Sequence, residues 1–160
     1  MTNKEKVLGI MRAQGRADAL DLRGRAATMD GTAIIEEEAK IPVFDPSKDY
    51  TSWATGSPVR ELVEGEYQVF TLITPHNASY YPGSTPNNTR SLWSLRHTKD
   101  PKKAKPWLAS AGTSGLYETD ECCTENGHVY QNNYNNNEFS PSALPSRWTD
   151  LGTIEEVQNA

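Results

Sequence analysis

A chain of 160 residues has room for one domain or two small ones, and its 36% hydrophobic share lies below the usual range of about 45–50%, which also counts Gly. The formal charge of −5 argues against an electrostatic grip on nucleic acid or an anionic membrane. All aromatic residues lie after Val43, which predicts small cores stitched by turns rather than one large core.

In chain order, Thr2-x-x-Glu5 is a capping-box pattern, and Val7, Ile10 and Met11 come next at helical spacing; together they predict a short helix near residues 3–14. Gly15, Gly24 and Gly31 punctuate the stretch after that helix, and Asp30-Gly31 predicts a turn before Thr32-Ala33-Ile34-Ile35. An isolated helix of this length is marginal in water, so it needs the chain's own β units or a partner protein to pack against. Residues 1–42 thus read as an N-terminal docking region. The apolar run Val7–Met11 is too short for a signal peptide or membrane span, and the expectation is synthesis in a bacterial cytoplasm without a signal peptide. Glu36-Glu37-Glu38 reads as a solvated charge run.

Pro42, Asp45 and Pro46 mark the entry to a first β unit, residues 43–97. Its main strands are Pro58–Val63 and Tyr67–Ile73. Val69, Thr71 and Ile73 share one face of the second strand and Phe70 and Leu72 the other. A strand apolar on both faces needs cover on both, here from the N-terminal region or the connector. Residues 98–115 are that connector, in which Trp107 is too large to stay wet and should pin the linker to a β unit. Residues 116–152 form a second β unit, signalled by Asn126-Gly127 between strand-like arms, since a two-residue type I′ turn needs positive φ at both positions. Residues 153–160 read as a tail. Cys122 and Cys123, the only cysteines, cannot build a disulfide framework; strand alternation places one in a core and the other outside.

Tyr117-x-x-Asp120, Asn126-Gly127-x-Val129-Tyr130, Tyr134, Ser140-Pro141-Ser142 and Pro145-x-x-Trp148 resemble the small chitin-binding type-3 carbohydrate-binding modules of families five and twelve. The chain departs from that pattern in having Thr119 where the family has Gly, Cys123 where it has Val, and Tyr134-Asn135 where it often has paired Trp. Residues 43–97 contain a looser copy: Trp53 lies on Tyr117, Glu64-Gly65 supplies the turn, Val69-Phe70 fall on Val129-Tyr130, and Leu92-Trp93 close the unit as Trp148 does. The expected fold class is mostly β, with one or two small antiparallel units of this kind after a short helical region.

The resemblance implies sugar binding, and the residue types suit it. A pyranose offers an apolar C–H face to a flat ring, and its hydroxyls want short polar partners. The candidate carbohydrate-contacting residues are Tyr134, Trp148, Tyr117, Asn133, Asn135, Tyr80, Tyr81, Trp53 and Trp93. Tyr134 amid its asparagines is the foremost of them, and a loop-packing role is its alternative. Core closure is the alternative for Trp93 and Trp148. No catalytic or metal-binding spacing occurs among His76, His97, His128 and the carboxylates, so neither enzyme activity nor a cofactor is expected.

The layout as a whole is similar to small accessory proteins encoded among the tail genes of bacteriophages and prophages of Gram-positive bacteria. That resemblance implies a virion tail, fibre or baseplate component. Its partners would be host cell-wall glycan and, through residues 1–42, other tail or baseplate proteins, with self-association as a further expectation. The rival expectation is a purely structural tail protein that keeps the module fold without binding sugar.

Overall fold

Thr2 and Glu5 close the expected capping box: the Glu5 amide donates to Thr2 Oγ1 at 3.1 Å and the Thr2 amide to Glu5 Oε2 at 2.6 Å. The structure, a computed structural model, describes residues 2–160. Helix α1 runs over Asn3–Arg25, well past the predicted end, and continues through Gly15 and Gly24. Each internal glycine costs about 1 kcal/mol, an amount offset here by strong helix formers such as Arg12, Ala13, Ala17 and Leu20. Two i,i+4 contacts add to them, Gln14 to Asp18 at 2.8 Å and Arg25 to Asp21 at 2.9 Å. Asp30 is not in a free turn: it caps α2 (Gly31–Glu36) by accepting from the Ala33 amide at 2.8 Å. Gly31 is required there, because a Cβ would sit 2.2 Å from the His97 carbonyl oxygen.

The first sheet is an antiparallel meander of β1 (Pro58–Val63), β2 (Glu66–Leu72) and β3 (Trp93–Arg96). Glu64 and Gly65 both have positive φ and make its tight turn. As expected, β2 is covered on both faces. Phe70 and Leu72 join Tyr50, Val59 and Trp93 in one core, while Val69 packs against Leu22, Ala26, Ile34, Ile35 and Ile41 on the other. Residues 22–41 therefore belong to the folded body and not to a detachable docking region, whereas none of residues 3–17 of α1 is buried. The acidic run is not merely solvated either. Glu37 pairs with Arg25 and Lys40, Glu36 with Lys103, and Glu38 with Lys105. The Arg25 and Lys40 partners hold the Glu37 carboxyl down to about 2.

The second sheet has the order β4 (Lys105–Pro106), β5 (Cys122–Glu125), β6 (His128–Asn132) and β7 (Trp148–Thr153), antiparallel except for the short β4–β5 pair. Asn126 and Gly127 form its two-residue turn at positive φ. Trp107 packs on the Tyr117–Cys123–Trp148 core, as the connector reading required. Both cysteines are buried and free, contrary to the alternation argument. The last residues are not a loose tail: α3 (Ile154–Gln158) docks Val157 over Cys122 and Val129 and so closes the second face. Burial raises the Cys122 thiol to about 12 and also pushes that of Cys123 well up, which leaves both in the unreactive thiol form.

The two sheets share a connectivity: a tight hairpin, a long loop, then a third strand that starts on Trp. Trp93 pairs with Leu72 and Trp148 with Asn132, so counting back from the tryptophans lays Val69-Phe70 on Val129-Tyr130. The opening aromatic of the first unit is Tyr50, not Trp53. Tyr50 meets Trp93 edge-on at 5.2 Å, just as Tyr117 meets Trp148 at 5.2 Å. The architecture is thus a mixed one, two mostly antiparallel sheets with helices over one of them and at both chain ends.

His97 and Tyr117 stack at 3.6 Å and 12° where the two units meet, and His97 Nε2 donates to the Gly115 carbonyl at 2.9 Å. Burial lowers the His97 imidazole from 6.5 to about 4, and the nearby Arg90 and Arg96 charges act in the same direction. The unfolded chain therefore takes up this proton first as pH falls. The stabilising contribution is complete above pH 6.5 and is lost on the way down to about 4, by roughly 3 kcal/mol. Urea midpoints measured across that window should fall for the native protein and stay flatter for His97→Gln; parallel curves would show that His97 does not titrate this way. Truncation should separate the two parts of the N-terminal region. Removing residues 1–17 should leave the melting temperature nearly unchanged. Removing residues 1–40 strips four fully buried aliphatic side chains, Leu22, Ala26, Ile34 and Ile35, and should abolish cooperative melting. Each of the larger ones contributes about 1.5–3 kcal/mol.

Candidate functional site

The loop between β6 and β7 is organised from beneath by Asn132, the last residue of β6. Its Nδ2 donates toward the carbonyls of Tyr117 (3.0 Å), Glu118 (2.8 Å) and Tyr134 (2.7 Å). Its Oδ1 accepts from the Tyr134 amide at 3.3 Å and from Asn137 Nδ2 at 2.8 Å. Asn137, also buried, exchanges both backbone hydrogen bonds with Tyr117 and accepts from the Phe139 amide on its Oδ1. Asn136 takes the left-handed conformation and donates its amide to Glu118. Two members of the Asn-rich run thus hold the loop and do not face a ligand.

Tyr134 is presented on the rim of this scaffold, 49% exposed. Arg147, at the end of a helical turn Pro145–Arg147, lays its guanidinium carbon 3.6 Å from the Tyr134 ring centroid and 5.3 Å from that of Phe139. Asn133 is exposed, and its amide is anchored on the Arg147 carbonyl at 2.9 Å. Asn135 Oδ1 accepts from the Thr119 amide and hydroxyl at 3.0 and 2.7 Å, which leaves its amide hydrogens free for a ligand. Tyr134, Asn133 and Asn135 therefore lie together on one loop, as the sequence suggested. Arg147 and Phe139 join them without having been singled out. The available signal was the position of Arg147, immediately before the closing Trp148, which forces it onto the same rim.

The remaining candidates fall elsewhere. Trp93 and Tyr117 are buried in the two cores, and Trp148 is only 7% exposed. The Trp148 Nε1 donor is spent on the Phe139 carbonyl at 3.0 Å. These three rings close cores, and none offers a stacking face. Trp53 is half-buried, with the Arg23 guanidinium 4.2 Å and the Lys48 ammonium 5.5 Å from its ring, so it clamps α1 to the first unit. Tyr80, 77% exposed, and Tyr81 stand on the long loop of the first sheet, Tyr81 edge-on to His76 at 5.9 Å. They form a second exposed aromatic pair, and no ring contact joins them to Tyr134 among the described residues.

A hollow of about 520 Å³ lies between Arg90, Ser94 and Thr113, and a groove of about 450 Å³ between α1 and Trp53; neither is lined by Tyr134 or Arg147. Among the described residues no group of His, Cys, Asp or Glu is arranged to hold a metal ion, and no helix is long and apolar enough to cross a membrane. No protein-family model and no curated protein sequence matches this chain.

Tyr134 and Trp148 should separate in mutation. Trp148→Ala opens the second core and should cost about 3–5 kcal/mol in chemical denaturation. Tyr134→Ala should cost less than about 1 kcal/mol, since half of the ring is already in water. Equal losses would mean that Tyr134 holds the loop instead of presenting a face.

Proposed function

We propose that this chain is a non-catalytic component of a bacteriophage tail, fibre or baseplate, whose second β unit binds carbohydrate of the host cell wall. The observation that carries the reading is the Tyr134 rim: a half-exposed ring whose backbone is held from beneath by Asn132, flanked by the exposed side chains of Asn133 and Asn135. A rigid apolar face beside short polar donors matches the two kinds of surface that a pyranose presents. Tyr80 and Tyr81 supply a second, smaller contact of the same kind on the first unit. Docking to the particle falls to the exposed stretch of α1, which carries the exposed apolar residues Val7, Leu8, Ile10 and Met11. This is a narrower docking element than residues 1–42.

The structural alternative, a tail protein that keeps this fold without sugar binding, is favoured by one observation: Trp93, Trp148 and Tyr117 are all committed to cores.

A glycan array, followed by titration of host wall polysaccharide against the intact protein, tests the reading. Binding should be lost about ten- to thirtyfold in Tyr134→Ala, in line with truncation of a central aromatic contact worth about 1–2 kcal/mol. No binding by the native protein to any host glycan would leave the structural alternative.

A further inference from the structure

We infer that the site built on Tyr134 and Arg147 selects glycans bearing a fixed negative charge, a uronate carboxylate or a phosphodiester, over neutral ones; this rests on the carbohydrate reading above. A guanidinium carbon 3.6 Å from a ring centroid is in face contact with Tyr134, and Phe139 lies 5.3 Å away. Face contact leaves the in-plane N–H groups pointing outward around the edge of the stack. Among the described residues, the Arg147 side chain makes no hydrogen bond and no ion pair. Arg25, by contrast, is paired with Asp21 and Glu37, and Arg90 donates to Asn87, Ala109 and Ser114.

None of the carboxylates at this loop pairs with Arg147 among the described residues: Glu138, within the loop, is exposed to solvent, and two others are held by loop amides. Glu118 accepts from the Asn136 amide at 3.2 Å and Glu125 from the Ser142 amide at 2.9 Å. The fork of Arg147 is thus oriented by two rings, held at its backbone by the Leu144 carbonyl and the Asn133 amide, and left without an acceptor. A planar, always-charged fork matches a carboxylate or phosphate through two parallel hydrogen bonds, and a neutral hydroxyl uses it poorly. A pyranose packed on the exposed part of Tyr134 beside the guanidinium would bring an acidic substituent to this edge. The first unit lacks the feature. Leu92 occupies the position before its closing Trp93, and among the described residues no cation lies over Tyr80 or Tyr81. The two loops thus differ in the charge they accept, and only the second is set for an anion.

The test titrates three probes of equal length against the intact protein by calorimetry. They are a neutral N-acetylglucosamine oligosaccharide, an oligosaccharide alternating glucuronate with N-acetylglucosamine, and the neutral oligosaccharide carrying phosphate. The native protein should bind at least one acidic probe about tenfold tighter than the neutral one, the increment expected of a charge-assisted hydrogen-bond pair, and added salt should erode the difference. Which acidic probe wins identifies the carboxylate or the phosphate source. Arg147→Gln should bring the affinities for acidic and neutral probes together, and Arg147→Lys should keep part of the preference; thermal melts of each variant report the fold. Equal or tighter binding of the neutral probe, or a preference that survives in Arg147→Gln, overturns the inference and leaves carbohydrate binding standing. Failure of all three probes and of host wall polysaccharide to bind overturns both.

Discussion

Each β unit is held shut by one buried tryptophan set edge-on against a buried tyrosine, Trp93 on Tyr50 and Trp148 on Tyr117. A two-stranded hairpin has too little apolar surface to persist alone in water. The tryptophan opens the third strand and brings a large ring to the one place where hairpin, loop and opening segment converge. Such an edge-to-face pair adds about 0.5–1.5 kcal/mol beyond the area that it buries. The intervening loop can then vary, because the entropy of closing it rises only slowly with length. Residues 73–92 and 133–147 are accordingly of different length and composition around the same closure.

The joint between the units derives from those closures. Tyr117 meets Trp148 in a T-shaped contact and stacks on His97, so the ring that seals the second core also stacks on the end of the first sheet. Cys122 donates its amide to the Thr98 carbonyl, and Gln68 reaches the Pro106 carbonyl at 2.8 Å. The N-terminal region enters the same junction: Gly31 touches the His97 backbone, and Thr32 accepts from the Lys99 amide. What had the look of modules on a string is a continuous body with one protruding helix.

The rim around Tyr134 depends on this rigidity. Asn132 and Asn137 satisfy one another and the surrounding backbone, so the loop needs no apolar core of its own. Buried amides fully paired in this way fix a single loop conformation. The ring and the guanidinium are held before any ligand arrives, which spares the ordering cost that weakens flexible sites.

The sequence by itself determined what rests on local rules: the capping box, both positive-φ hairpin turns, the strands of the first unit, the tryptophan closures and the gathering of Tyr134, Asn133 and Asn135 on one loop. These depend on residues a few positions apart. Only the tertiary structure decided the rest. Leu22 of α1, with Ala26 just beyond the helix, anchors its far end on the Val69 face, and Cys122 and Cys123 are both buried because α3 returns to cover the outer face. Tyr50 displaced Trp53 as the opening ring because Arg23 claims the face of Trp53. In each case the deciding contact joins elements distant in the chain, and no spacing rule within one segment carries that information.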